Sequence, residues 1–245
     1  MEANDALARP SRARFLALHV GLPLALAALL LAVFELTPLD TAIEDRFYDP
    51  QSREFPWRHT FLFEDLIHDA GKIVVIAFGV LVLGAFVASF FRERIASWRR
   101  PLAYVFLTLA LGPAATSGWK DLSPKHCPWD LAMYGGHAPH TTLLEPVPEG
   151  VKRGRCFPCG QASSGFSLMA LYFALRHRNR KLARRGLWLG LAYGGTLGFG
   201  RMVQGAHFLS HVLTTALVCW LVAWLLYEVV LRKSEERRTA PFNAA

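Results

Sequence analysis

The stretch Ile73–Phe91, IVVIAFGVLVLGAFVASFF, decides the fold class. It holds no charged residue and has the length of roughly 20 residues that a helix needs to cross the hydrocarbon core of a bilayer. Backbone N–H and C=O groups find no water at that depth, so the run must close its hydrogen bonds internally as a helix. Arg92, Arg94, Arg99 and Arg100 follow it directly and mark a cytoplasmic connection by the positive-inside bias.

Similar apolar runs lie on both sides. Phe15–Phe34 is a first span; Arg9, Arg12 and Arg14 precede it, but it is long for a signal peptide and no small-x-small cleavage site follows, so it reads as a retained anchor. Pro101–Trp119 is a third span, with Gly112, Pro113 and Gly118 expected to weaken its outer end. Three less pure segments complete the set: Gln161–Leu175, Gly186–Gln204 and His207–Leu231. The fold class expected is therefore all-α, a polytopic six-helix transmembrane bundle, consistent with a hydrophobic share of 53% and a mean hydropathy of +0.25.

A second basic cluster, Arg176, Arg178, Arg180, Lys181, Arg184 and Arg185, fills the connection between spans four and five. With the N-terminal arginines and Arg232, Lys233, Arg237 and Arg238 it gives one orientation, both termini in the cytoplasm. The net charge of +8 is thus a matter of topology and not of a nucleic-acid partner. Residues 1–14 and 232–245 read as cytoplasmic tails, Met1–Ser11 and Ser234–Ala245 as poorly ordered, and no internal repeat is visible. The acidic, aromatic connection Glu35–Lys72 and the loop Lys120–Gly160 fall outside, the former as a solvated loop or with an amphipathic segment on the membrane surface.

That topology sorts the polar residues of the last four spans to the outer face. Lys120 ends span three, Cys156-Phe-Pro-Cys159-Gly160-Gln161 opens span four, and Arg201 and His207 bracket the link between spans five and six. The set suits phosphoryl transfer. Arg201 offers a planar fork to two phosphate oxygens, Lys120 a point charge, Gly160 a close backbone approach at a helix start, and His207 a nucleophilic imidazole.

Three motifs here, Lys120-x6-Cys127-Pro128, Pro158-Cys159-Gly160-Gln161 and Gly200-Arg201-x5-His207-x3-His211, follow the order and spacing of Lys-x6-Arg-Pro, Pro-Ser-Gly-His and Ser-Arg-x5-His-x3-Asp. The region 101–231 thereby resembles the type 2 phosphatidic acid phosphatase family, which includes vanadium haloperoxidases and bacterial lipid phosphatases, and its flanking segments look like a bacterial branch. The resemblance implies metal-independent, cofactor-free hydrolysis through a phosphohistidine on His207, with Lys120, Arg201 and Gly160 binding phosphate. It also implies a phosphorylated membrane lipid as substrate and a bacterial inner membrane with the site at the periplasmic face.

Three positions depart from the pattern. Cys127 stands where an arginine is usual, leaving Lys125 or Arg155 to reach in; His211 stands where a carboxylate would orient the nucleophile; Gln161 replaces the histidine that would protonate the leaving group. Another acid, His126, His137 or His140, could stand in, and a lipid phosphotransferase or an impaired lipid-binding pseudoenzyme are the alternatives to a hydrolase. His207 and His211 as metal ligands lack a third donor at ligand spacing. The Cys156-x-x-Cys159 pair lacks the strand–helix pattern of a redox motif, so a disulfide of Cys127 with Cys156 or Cys159 is preferred. Cys219 and the glycines 190, 194, 195 and 198 read as packing; His19 and Glu228 stay outside the site.

Overall fold

The computed structural model describes residues 11–232. Arg9, Lys233, Arg237 and Arg238 lie outside the described residues. Six long helical segments are present: α1 (Arg12–Leu36), α2 (Leu62–Ala88), α3 (Arg99–Leu122), α4 (160–175), α5 (Arg180–Val203) and α6 (Leu209–Arg232). No β-strand occurs among the described residues, only isolated bridges at Asp49–Glu54 and Leu131–Ala138. The protein is an all-α membrane protein, and α1, α2, α3 and α6 are each long and apolar enough to cross a bilayer. Helix α4 is too short by itself, built of Gly160–Phe166, a 3-10 turn Ser167–Met169 and Ala170–Leu175, and glycine dilutes the hydropathy of α5.

The boundaries differ from the sequence reading most at the end of α3, the start of α5 and the start of α2. Helix α3 continues unbroken past Gly112, Pro113 and Gly118 to Leu122; its buried face runs from Tyr104 to Thr116, where the Thr116 hydroxyl donates to the Gly112 carbonyl at 3.0 Å. Helix α5 starts at Arg180, capped by the Asn179 side chain on the Leu182 N–H, so most of the second basic cluster is helical. In the first outer connection Leu39–Glu44 forms a short helix, and 62–70 becomes a π-helical extension of α2.

Helix α4 lies at the centre, against α3, α5 and α6. Its approach to α5 is set by glycine: a Cβ on Gly165 would meet the Gly194 Cα at 2.6 Å, and one on Gly194 would meet the Phe166 N at 2.7 Å. Gly190 and Gly198 pack in the same way against Met169 and Val212, whereas Gly195 has nothing within 4 Å and Gly200 meets Ile67 of α2. Small residues replace the hydrophobic driving force that lipid cannot supply between helices. At the end opposite the loop Lys120–Gly160, Glu228 pairs with Arg12 and with Arg232, each at 2.7 Å, and ties α1 to α6. His19 contacts the Tyr172 hydroxyl at 2.9 Å and belongs to that packing.

Asp40 and Glu44, on the short helix after α1, lie under the start of α6, where the Ser210 N–H donates to Asp40 Oδ1 at 3.0 Å. Burial raises the Asp40 carboxyl, and burial with Asp40 and Asp45 beside it pushes Glu44 up to about 10. Glu44 is fully buried, and neither of its carboxyl oxygens has a hydrogen-bond partner.

Two outcomes follow from this packing. Gly194→Leu has no space to enter between α4 and α5, so the monodisperse detergent-solubilised fraction and its thermal midpoint should both fall sharply; unchanged chromatography would refute the close approach. Glu44 contributes fully below its ordinary value of 4.5 and loses that contribution as pH climbs toward its folded value of about 10. The loss is on the order of 3 kcal/mol by pH 7. Glu44→Gln removes the ionisation and should flatten the fall of thermal midpoint with rising pH; an identical slope would show that Glu44 is ionised in the fold.

Candidate active site

Helices α5 and α6 are joined by a tight link whose backbone is fixed at Gly205, with φ of 72°. That left-handed conformation suits glycine, and a Cβ there would strike the Phe55 ring at 2.4 Å. The Ala206 N–H donates to the Arg201 carbonyl at 2.9 Å, and the Gly205 carbonyl accepts from the Trp129 N–H at 2.9 Å. Arg201, on the last turn of α5, and His207, in the link, are thereby held in a fixed relation.

His207 is buried, with 3% of its surface exposed, so its chemistry depends on what touches it. Its Nδ1 lies 3.3 Å from His211 Nδ1 and 3.6 Å from Cys156 Sγ. Burial pushes this imidazole, which sits in the link outside the spanning helices, well below its ordinary range, and His211, Lys120 and Arg201 push the same way. It is therefore neutral near pH 7. With Nδ1 engaged, Nε2 is the nitrogen left for chemistry.

The start of α4 is fastened to α6: the Cys159 N–H donates to the His211 carbonyl at 3.3 Å, and the Thr215 hydroxyl donates to the Cys159 carbonyl at 3.0 Å. Gly160 follows, and a Cβ there would lie 3.9 Å from the Lys120 side chain. Burial raises the Cys159 thiol to about 11 in spite of the charges of Arg201 and Lys120 nearby. Lys120, Gly160, Arg201 and His207 thus lie at one end of the bundle, with both cations near enough to act on the imidazole.

Gln161 turns elsewhere. Its side-chain Nε2 donates to the His68 backbone carbonyl of α2 at 2.6 Å. Neither proposed substitute for the missing arginine is seen to fill that role: the Lys125 ammonium is tied to Thr141 Oγ1 and the carbonyls of Thr142 and Glu145, and Arg155 is exposed with φ of 54°. His126 and His140 line a cavity shared with His211 and Lys125, and His137 packs on His126 with ring centroids 6.1 Å apart.

A disulfide joins Cys127 to Cys156, leaving Cys159 and Cys219 as buried thiols. Donor atoms of Cys156, His207 and His211 lie within 4.8 Å of one another. A sulfur in a disulfide has no thiolate to offer, so this set reduces to two imidazoles, fewer than the three protein ligands of a catalytic zinc site.

Several neighbours were not read from the sequence. The Arg201 Nη1 donates to Gln204 Oε1 at 2.7 Å, and Gln204 Nε2 donates to the Arg58 carbonyl at 2.8 Å. Both guanidinium groups lie over the Trp129 ring, Arg58 at 4.0 Å and Arg201 at 5.4 Å. Gln204 could have been found from its i+3 spacing to Arg201. Arg58, Trp129 and the His68–Asp69 pair, at 2.8 Å, come from loops and another helix, which no local spacing links to the motifs.

A buried imidazole with two cations and a helix start nearby, at one end of a membrane bundle, is an arrangement suited to phosphoryl-ester hydrolysis. Residues 101–235 match the model of the PAP2 superfamily, more than half of the chain, and the protein belongs to that family. The lipid A 4'-phosphatase of Francisella tularensis subsp. novicida (strain U112) is 26% identical over 203 residues, covering 80% of this chain and 88% of that protein. No solved structure matches the chain.

Proposed function

We propose that the protein hydrolyses a phosphate monoester or pyrophosphate on a membrane lipid at the outer face, with His207 Nε2 attacking phosphorus. Lys120, Arg201 and the Gly160 backbone hold the phosphoryl oxygens, and His211 orients the nucleophile. The observation that carries this reading is the convergence of His207 with Lys120, Arg201 and Gly160 at one end of the bundle. Two cations and helix-start N–H groups are suited to the charge of a five-coordinate transition state.

A lipid substrate is supported by two adjoining cavities. One, of about 480 Å³, is an apolar groove between α1 and α6, lined by Leu22, Leu26, Leu30, Leu217 and Trp220. The other, of about 400 Å³, is more polar and includes Lys125, His126, His140 and His211; Phe34 and Leu143 border both. An amphiphile matches that order of surfaces. The similarity to a lipid A 4'-phosphatase makes a phosphorylated glycolipid the first substrate to try, ahead of polyprenyl pyrophosphate or phosphatidic acid. The orientation follows from the basic clusters: termini in the cytoplasm of a bacterial inner membrane, site at the periplasmic face.

One observation favours a second reading, a lipid-binding protein with little turnover. The Gln161 amide is bound to a backbone carbonyl and has no proton to give a leaving alkoxide. General acid catalysis is worth roughly a hundredfold to ten-thousandfold. Phosphate release from lipid A, a polyprenyl pyrophosphate and phosphatidic acid is therefore to be measured for the intact chain, Gln161→His and His207→Ala. Gln161→His should raise turnover on the monoesters by about tenfold or more, and His207→Ala should abolish it on all. Equal rates in the three proteins would remove His207 from the mechanism, and lipid binding without release even in Gln161→His would establish the second reading.

A further inference from the structure

Two of the three departures from the family pattern meet at one atom. Cys127 replaces the usual arginine and His211 the usual carboxylate; Cys127 is bonded to Cys156, and Cys156 Sγ and His211 Nδ1 lie 3.6 and 3.3 Å from the same His207 Nδ1. The Nδ1 edge of this buried ring therefore meets an imidazole and a disulfide sulfur.

Cys156 has no regular structure to hold it. It follows Arg155, which is in the left-handed region, and it is fixed to the 123–127 segment by its N–H to the Lys125 carbonyl at 2.9 Å and by the disulfide. The Lys125 segment is in turn bound to the 141–145 loop by its ammonium. The disulfide is therefore the covalent part of the wall against which His207 rests.

We propose that the Cys127–Cys156 disulfide positions the nucleophile: it presses Cys156 against the Nδ1 edge of His207, which keeps the proton on Nδ1 and the lone pair on Nε2. This rests on the reading of His207 as nucleophile. The carboxylate's usual task of fixing the tautomer is here divided between His211 and the Cys156 wall.

The test uses the full chain in detergent, with Cys127→Ser/Cys156→Ser, the same pair plus His211→Asp, and the intact chain treated with a dithiol. The dithiol gives two electrons and two protons to the S–S bond, leaves two thiols and becomes a disulfide itself. Nitrogen-15 shifts of His207, assigned by difference with His207→Gln, report the tautomer without requiring turnover. The intact chain should show the Nδ1–H form, and the serine pair or the reduced chain a mixture of tautomers. Phosphate release should fall about tenfold or more in kcat with KM little changed, and His211→Asp should restore it by supplying the carboxylate. A disulfide that only stabilises the fold would lower the thermal midpoint, leave the tautomer unchanged and gain nothing from His211→Asp, and that result would overturn the proposal. If the serine pair fails to fold, the reduced chain carries the same comparison. If the intact chain releases no phosphate from any lipid, the functional reading fails, while the nitrogen shifts still decide the positioning role.

Discussion

The link between α5 and α6 is the constraint on which the rest of the site depends. Arg201 lies on the final turn of one helix and His207 just before the next, so their separation is set by the path of a few backbone atoms. Gly205 makes that path possible, Phe55 fills the space a side chain would need, and the Trp129 N–H holds the turn from outside. The loop Lys120–Gly160 is thus more than a cover. By binding the turn at Trp129, and by carrying Cys127 and Cys156, it fixes the cation–imidazole geometry from the side opposite the helices.

Electrostatics and packing support each other at this end. A buried imidazole beside two cations stays neutral because burial disfavours the charged form and the cations disfavour it further. A neutral imidazole is the form that can attack phosphorus. The same cations would be poorly placed without a counter-anion, and Arg201 meets that need in part through Gln204 Oε1 and the face of Trp129. A phosphate dianion would complete the set, which is the physical sense in which the constellation is prepared for one.

Much of this was legible in the sequence, for identifiable reasons. Apolar runs report spans because lipid tolerates nothing else, and the three motifs point to one end of the bundle because each lies where a helix ends or begins. The start of α5 was missed because arginines at a membrane boundary look the same in a loop or in a first helical turn; the Asn179 cap was the overlooked signal. Spacing gives the position of Gln161 but not where its side chain points, since the His68 carbonyl that binds it belongs to a distant helix. Lys125 was one of two cations open to reach in where the arginine is missing, and three loop oxygens hold its ammonium, a competition that only tertiary structure reveals. The partner of Cys127 was open between two cysteines three residues apart, and the choice turned on Cys159 being drawn to α6 by its backbone.

Buried side-chain atoms without a partner occur toward both ends of the bundle, on Glu44 near the loop Lys120–Gly160 and on Arg176 and Trp224 toward the opposite end. Glu44 has both carboxyl oxygens buried without a partner. Each such group costs about 1–3 kcal/mol relative to a satisfied one. A bundle packed as closely as α4 on α5 can carry that cost, and a loosely packed one could not. The α6 start holds His211, whose Nδ1 lies 3.3 Å from His207 Nδ1, and is capped by Asp40, which accepts from the Ser210 N–H; both His211 and Asp40 line the more polar cavity.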